Sequence, residues 1–165
     1  MTTNLRRWNL GTNHNTRDLG GYGVPGGITA WNRFLRSDFP TNFSEKDWDH
    51  LRKMGFTTAI DLRGDREFEQ DPSLFASRPE FDFHHISLFP DQPWSDDPAE
   101  VPQAYFSMTV WEEQMAKVMG IIARAPGGVY FHCRAGKDRT AVVAALLLLL
   151  AGVPDADLLA DYMLS

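Results

Sequence analysis

The run of residues 132–140, which reads HCRAGKDRT, constrains the fold more than any other part of this sequence. It contains the only cysteine of the chain, Cys133. The apolar segment 128–131 before it predicts a strand, and the segment 140–151 after it predicts a helix. A strand that turns through a loop into a helix presents backbone N–H groups and the positive end of the helix dipole to whatever lies in the turn. We call residues 132–140 the cysteine loop, and the sequence predicts that it binds an anion.

Three residues of the cysteine loop suit the thiol-based hydrolysis of a phosphate ester. A thiol in such a field loses its proton more readily than a free one, so Cys133 is the candidate nucleophile. The planar guanidinium of Arg139 matches two oxygens of a phosphate. Gly136 lacks the Cβ that would keep the backbone away from the anion. A lone cysteine before a helix is more often a packing residue, but Gly136 and Arg139 beside it favour catalysis.

The cysteine loop matches the pattern His-Cys-x-x-Gly-x-x-Arg-Thr, and the chain thereby resembles the protein tyrosine phosphatase superfamily. Its GKDR segment resembles bacterial tyrosine phosphatases that have phosphoinositide-phosphatase-like loops. Three further segments resemble the same subgroup in the expected order, namely NTRDLGGY at 15–22, FLRS at 34–37 and AIDLR at 59–63. Ala141 departs from the glycine that many members carry, a change that suits the start of a helix. The resemblance implies a phosphocysteine intermediate on Cys133 and a phosphate held by Arg139 and the loop N–H groups.

Phosphoryl transfer to the thiolate also needs a proton for the departing oxygen, and three aspartates are candidate general acids. Asp138 ranks first because the cysteine loop fixes its position beside the anion. Asp91 ranks second, since it follows Phe-Pro in a proline-rich segment that is similar to the mobile acid loop of the superfamily. Asp61 ends a predicted strand next to the loop and ranks third. The alternative for Asp61 is that it braces the loop together with Arg63.

The other residues of the cysteine loop are candidate substrate contacts. Arg134 and Lys137 add two cations, which favour a substrate with extra negative charge, although a solvated loop surface is the plainer interpretation. His132 is expected to fix the loop and to tune the thiolate rather than to act as a base. Thr140 is expected to hydrogen-bond the cysteine sulfur, to cap the following helix, or both. Ala135 is expected to contribute its backbone.

Predicted strands and helices alternate along the chain, which favours an α/β fold with three layers, a mostly parallel central sheet flanked by helices. The strands are predicted over 28–35, 57–62, 81–88 and 128–131. The helices are predicted over 44–54, 104–125 and 140–151, the last of them buried on nearly all sides. Ligands bind such sheets beyond the carboxyl ends of the strands, which is where Cys133 follows its strand.

With 165 residues, 43% of them hydrophobic, the chain is expected to form a single phosphatase domain over residues 1–165. The net charge of −6 argues against a nucleic-acid partner. The longest apolar run, 141–152, is shorter than the ~20 residues that cross a bilayer. A polar N-terminus without a secretory signal predicts a cytoplasmic protein. Members of the resembled subgroup continue past this point, so C-terminal helices of the family are expected to be missing.

The sequence therefore predicts a cysteine-dependent phosphatase that hydrolyses phosphotyrosine in proteins, with phosphoserine, phosphothreonine and phosphoinositides as further substrates. The histidines show no spacing typical of a metal site, and the resemblance implies neither a metal nor a cofactor. One alternative is a phosphate-binding module without catalysis, which would lack the nucleophile, the arginine or the acid. A rhodanese-like sulfur transferase also uses a cysteine loop at a helix N-terminus, but Arg139 and Thr140 at the end of this loop disfavour it. The oligomeric state stays open.

Overall fold

The computed structural model describes residues 6–88, 99–100, 102–103, 105–106 and 112–165. The strands in these ranges are β1 Arg17–Asp18, β2 Gly23–Val24, β3 Gly27–Ile28, β4 Phe34–Ser37, β5 Phe56–Asp61, β6 Asp82–His85 and β7 Gly128–His132. The helices are α1 Glu45–Lys53, α2 Asp65–Gln70, α3 Glu112–Arg124, α4 Asp138–Leu150 and α5 Asp155–Met163. A short 3₁₀ helix covers Leu74–Ser77.

Five of the described strands form one sheet in the order β1-β4-β7-β5-β6. The strands β4, β7, β5 and β6 are parallel to their neighbours, and β1 lies antiparallel to β4 at one edge. The predicted α/β fold with a mostly parallel sheet is therefore confirmed. The strand that leads into the cysteine loop, β7, lies at the centre of this sheet, where parallel strands are buried on both faces.

The parallel register brings the carboxyl ends of four strands to one edge of the sheet. Ser37 at the end of β4 and Asp61 at the end of β5 both pair with His132 at the end of β7. On the other side of β5, His85 of β6 pairs with Asp61. The cysteine loop begins at this edge, so the residues that end these strands become its neighbours.

Side chains from the two faces of the sheet pack into two separate cores. On β7, Val129 and Phe131 pack with apolar residues of α3 and α4. Tyr130 points to the opposite face and packs with Trp48 and Leu51 of α1. This alternation is the two-residue period of a strand, and it places helices on both sides of the sheet. Each face buries apolar surface, which is the main source of stability for such a domain.

The predicted strand over 28–35 is wrong in its middle, because the backbone turns there. β3 ends at Ile28 and pairs with β2 in a separate hairpin, whereas β4 begins at Phe34. Between them Asn32 adopts a left-handed conformation with a φ of 59°, which a regular strand does not contain. The carboxylate of Asp18 accepts the N–H of Asn32 at 2.9 Å and so stabilises the turn.

The boundaries of α1 agree with their sequence signals. Ser44 caps the helix in a capping box with Asp47, and Gly55 with a φ of 86° follows its end. The helix predicted over 104–125 corresponds, among the described residues, to α3, which covers Glu112–Arg124. Phe106, which lies within the predicted range, is 59% exposed.

The helix that follows the cysteine loop, α4, begins at Asp138, two residues earlier than predicted. The expectation that it is buried on nearly all sides is wrong for its last turn. Leu149 and Leu150 are 51% and 76% exposed, because none of the described residues covers them. Within the described part of the chain, no helix combines the length and the apolar character needed to cross a membrane.

Candidate active site

The cysteine loop lies at the carboxyl edge of the sheet, between the end of β7 and the start of α4. Cys133 is a free thiol and only 2% exposed. Lys137 stands at the N-cap position of α4 and makes no side-chain hydrogen bond to the first N–H groups of the helix. These donors and the positive end of the helix dipole face the turn that begins with Cys133, an arrangement that favours an anion there.

Gly136 adopts a left-handed conformation with a φ of 68°. A Cβ at this position would lie 2.5 Å from the backbone nitrogen of Asp38 and 2.6 Å from the carbonyl carbon of Ser37. The predicted reason for a glycine was room for the anion. The structure adds a second reason, because the loop backbone passes directly against the backbone at the end of β4.

Arg139, in the first turn of α4, forms an ion pair with Glu67 of α2. Its Nη2 donates to Oε1 at 3.2 Å, and its Nη1 donates to Oε2. Glu67 also accepts the N–H of Gly64 at 3.0 Å. Burial raises the pKa of Glu67, but these hydrogen bonds outweigh burial and hold that pKa below its usual value. Sequence reasoning missed Glu67, since its spacing from Gly64 indicates only a capped helix start.

Asp61 is fully buried at the end of β5 and is bound by Arg63. The Arg63 Nε lies 3.0 Å from both carboxylate oxygens, and its Nη2 donates to Oδ2 at 2.7 Å. Burial raises the pKa of Asp61, but the charge and the hydrogen bonds of Arg63 outweigh it and keep that pKa below its usual value. This geometry supports the bracing alternative, because a carboxylate so strongly held in its charged form is a poor proton donor.

His132 is fully buried beneath the loop and hydrogen-bonded at both ring nitrogens. Its Nδ1 donates to the carbonyl of Cys133 at 3.3 Å, so its Nε2 accepts the hydroxyl of Ser73 at 3.0 Å. Burial lowers the pKa of His132, which favours the neutral ring. These contacts fit the expected role in fixing the loop. Among the described residues, no group of three or more His, Cys, Asp or Glu side chains is arranged to hold a metal ion.

Asp138, the candidate acid that ranked first, is the first residue of α4 and is partly exposed. Its carboxylate accepts a hydrogen bond from the phenol of Tyr105, whose oxygen lies 3.0 Å from the phenol oxygen of Tyr162. Burial and the neighbouring Asp138 raise the pKa of Tyr105, so this phenol stays a donor. Sequence reasoning missed both tyrosines, which lie far from the cysteine loop along the chain. The second candidate, Asp91, lies outside the described residues.

The two additional cations of the loop are on its outer surface. The side chain of Arg134 is 60% exposed, and its Nη1 lies 3.3 Å from a carboxylate oxygen of Asp71. Its guanidinium also lies 5.4 Å from the ring centre of Phe39. Lys137 is exposed. Both cations are therefore accessible to a substrate, and Asp71 partly neutralises one of them.

Of the two remaining loop residues, Thr140 is buried and Ala135 is exposed. Thr140 is buried and donates to the carbonyl of Ser37 at 3.5 Å. The alternative in which Thr140 caps the helix is wrong, because Lys137 occupies the N-cap position and Thr140 lies within the first turn. Ala135 is exposed, and its carbonyl accepts a hydrogen bond from the side-chain amide of Asn15 at 2.9 Å.

Two relatives carry names that bear on this site. A tyrosine-protein phosphatase of Nostoc commune is 35% identical over 140 residues, which cover 80% of this chain and 48% of that protein. A predicted tyrosine-protein phosphatase of Cupriavidus necator is 32% identical over 169 residues, which cover 90% of this chain and 59% of that protein. The chain thus spans about half the length of these curated relatives.

A family model matches nearly the whole of this chain. The model of the tyrosine phosphatase family matches residues 8–165, a stretch that includes all the described strands and helices and the cysteine loop. With its parallel sheet, buried cysteine and paired arginine in this match, the chain belongs to the tyrosine phosphatase family.

Proposed function

We propose that this chain is the catalytic part of a cysteine-dependent phosphatase that hydrolyses phosphotyrosine in proteins. The observation that carries the proposal is the buried thiol of Cys133 in the loop that leads to the uncapped start of α4, with the guanidinium of Arg139 fixed in the first turn of that helix. A thiolate there faces N–H donors that stabilise both its own charge and that of a phosphate. The names of both relatives support phosphotyrosine as the substrate.

The reaction has two steps, and Cys133 takes part in both. The thiolate attacks phosphorus in line, an S–P bond forms, and the P–O bond to the tyrosine oxygen breaks as that oxygen takes a proton from the general acid. Water then attacks the phosphorus of the phosphocysteine, and the S–P bond breaks. The carboxylate that the general acid became in the first step takes the proton of the water. Inorganic phosphate leaves and the thiolate is restored.

Arg139 stabilises the phosphoryl group as charge spreads over its oxygens. Glu67 takes two of the five N–H donors of the guanidinium, and we assign the others to phosphate oxygens. Because the ion pair fixes the guanidinium before substrate binds, little ordering cost remains in the transition state. Arg139 is thus a clamp that is already in position.

We assign the general acid to Asp138. Tyr105 donates to one oxygen of its carboxylate, which fixes the group and leaves the other oxygen to carry the proton. The partial exposure of Asp138 gives that oxygen access to a bound substrate. Asp91 is the second choice, and Asp61 braces the loop together with Arg63.

The exposed cations Arg134 and Lys137 support a broader substrate range that includes phosphoinositides, as well as phosphoserine and phosphothreonine. The GKDR segment at 136–139 supports a place in the subgroup with phosphoinositide-phosphatase-like loops. A headgroup with several phosphates gives each cation a partner that phosphotyrosine does not offer. The proposal is therefore a tyrosine phosphatase with secondary activity on polyphosphorylated lipids.

The first experiment measures phosphate release from a phosphotyrosine peptide by the wild type and by Cys133→Ser. The serine variant should lose essentially all turnover and still bind tungstate, a tetrahedral oxyanion, because the backbone and Arg139 remain. Substantial hydrolysis by the serine variant would contradict the phosphocysteine mechanism. A wild type that binds the oxyanion without turnover would instead be a phosphate-binding module.

A second experiment tests the substrate range with a panel of phosphoserine peptides and phosphoinositides. The double variant Arg134→Ala/Lys137→Ala should lose more activity on phosphoinositides than on a small aryl phosphate. A matched control, Arg52→Ala/Lys53→Ala, removes the same charge from the last turn of α1. If the double variant loses equal activity on both substrates, or if the control variant loses as much as the double variant, Arg134 and Lys137 do not recognise the substrate and are only part of the loop surface.

A further inference from the structure

Three consecutive carbonyl groups of the cysteine loop, those of residues 134, 135 and 136, each accept a hydrogen bond from outside the loop. The donors are the N–H of Phe39 at 3.0 Å, the side-chain amide of Asn15 at 2.9 Å and the Nη2 of Arg36 at 2.8 Å. A trans peptide points its carbonyl and the following N–H in opposite directions. These bonds therefore turn the N–H groups of residues 135, 136 and 137 toward the other side of the loop, where an oxyanion would be received.

The carboxylate of Asp161 in α5 is connected to two of these three donors, to Arg36 directly and to Asn15 through Arg17. Arg36 pairs with Asp161 Oδ2 through its Nη1 and reaches the loop carbonyl of Gly136 with its Nη2. Arg17 donates to Asp161 Oδ1 at 2.9 Å through its Nε, and its Nη1 donates to Asn15 Oδ1. Two chains of contacts thus run from one side chain to adjacent carbonyls of the loop.

The two arginines depend on this carboxylate because both are buried. Arg17 is 4% exposed and Arg36 is 1% exposed, and the ion pairs of both in the described structure are with Asp161. Without a negative charge between them, two buried guanidinium groups would repel each other and lose the charge that offsets their desolvation. They would move apart or toward solvent, and the two loop carbonyls would lose their donors.

We propose that Asp161 is a positioning residue for the cysteine loop. By holding Arg17 and Arg36 it sets the direction of the loop N–H groups, and so it sets the affinity of the loop for an oxyanion. The inference rests on the proposed function in that it takes a phosphate as the ligand of the loop. It assigns a role at the active site to α5, which does not itself belong to the loop.

The test is an isothermal titration of the full chain with sodium tungstate, comparing wild type, Asp161→Asn and Asp155→Asn. The first variant keeps the shape of the side chain and removes its charge, and the second makes the same change at the exposed start of the same helix. Asp161→Asn should raise the Kd for tungstate about tenfold, the loss of about one charged hydrogen bond. Asp155→Asn should leave the Kd unchanged.

This readout separates positioning from folding. An irreversibly misfolded fraction lowers only the binding stoichiometry, whereas unfolded molecules in equilibrium with the folded state raise the measured Kd by the inverse of the folded fraction. Urea unfolding of each variant gives that fraction, and the Kd is compared after this correction. Should Asp161→Asn show no cooperative unfolding transition, Asn15→Ala replaces it, since this variant removes one carbonyl contact and keeps both ion pairs of Asp161. It should raise the Kd about threefold.

A Kd like that of the wild type in Asp161→Asn, or in Asn15→Ala where the first variant does not fold, would overturn the inference. That result leaves the proposed function intact if the wild type still hydrolyses phosphotyrosine. In contrast, a wild type without turnover whose tungstate affinity still depends on Asp161 would remove the proposed function and keep the inference.

Discussion

Replacing Gly136 by alanine tests how the cysteine loop is fixed against the sheet. The φ of 68° at this residue is costly for any residue with a Cβ, by about 1–2 kcal/mol. The new Cβ would also lie 2.5–2.7 Å from three backbone atoms of Ser37 and Asp38, closer than real Cβ contacts come. These atoms lie at the end of β4, where Ser37 pairs with His132 of β7, so they cannot move without disturbing the sheet.

The expected loss of stability follows from these two contributions. Forcing apart well-packed backbone adds roughly 1–3 kcal/mol, so Gly136→Ala should lower the free energy of unfolding by about 2–5 kcal/mol in total. Gly26 supplies a matched control, because it has a φ of 87° and nothing within 4 Å of its Cβ position. Gly26→Ala should therefore cost only about 1–2 kcal/mol. Effects of alanine on the unfolded chain are shared by both variants and cancel in the difference.

Urea unfolding of both variants measures the stabilities, and hydrolysis of a phosphotyrosine peptide measures the active site. A loop displaced from β4 should lose about 100-fold in kcat/KM, as small misplacements of catalytic groups do. Gly26→Ala should keep the activity of the wild type. If Gly136→Ala is destabilised no more than Gly26→Ala, the contact with Ser37 and Asp38 does not constrain the loop, and the reasoning from the Cβ position is refuted.

Three further predictions concern the acid, the arginine anchor and the buried histidine. Asp138→Asn should slow the hydrolysis of phosphotyrosine far more than that of an aryl phosphate with an acidic phenol, which hardly needs a proton. A larger difference for Asp91→Asn would transfer the acid role to that residue. Glu67→Gln removes the charge that anchors Arg139 and should raise the KM for phosphotyrosine several-fold, by about the energy of a partly buried ion pair; an unchanged KM would contradict the anchor. Burial lowers the pKa of His132, so below about pH 6.5 the unfolded chain takes up a proton that the folded chain does not. The free energy of unfolding therefore keeps its full value above that pH, and below it falls by up to about 1.4 kcal/mol per pH unit. Urea unfolding at about pH 7.5 and pH 5.5 measures this fall, which should shrink in His132→Asn.

The cysteine loop could be located from the sequence because its parts are consecutive. Strand, loop and helix follow one another over residues 128–150, so local patterns place Cys133 and Arg139 together without knowledge of the rest of the fold. The parallel sheet then fixes what lies beside them, since Asp61 and Ser37 end neighbouring strands. A buried Asp61 paired with Arg63 was one of the two roles that the sequence left open.

The anchors of the loop could not be predicted, because they depend on tertiary contacts between charged side chains. Glu67 lies 72 residues before its partner Arg139, and charged residues at a helix start are ordinarily solvated. Asp161 lies in a short helix with two other aspartates, and nothing in its local pattern distinguishes it from them. Only the packing of α5 against the end of the sheet shows that Asp161 is buried and the others are not.

The contacts that hold the cysteine loop join parts of the chain that are synthesised far apart in time. Arg17 and Asp161 are separated by 144 residues, and Asn15 and Ala135 by 120. Such contacts form late in folding, because closing a long loop costs entropy before the contact returns any stabilisation. A ribosome-bound chain whose α5 has not yet emerged therefore holds an unfinished loop around its cysteine. We expect the loop to acquire its affinity for an oxyanion only when the early and late parts of the chain meet.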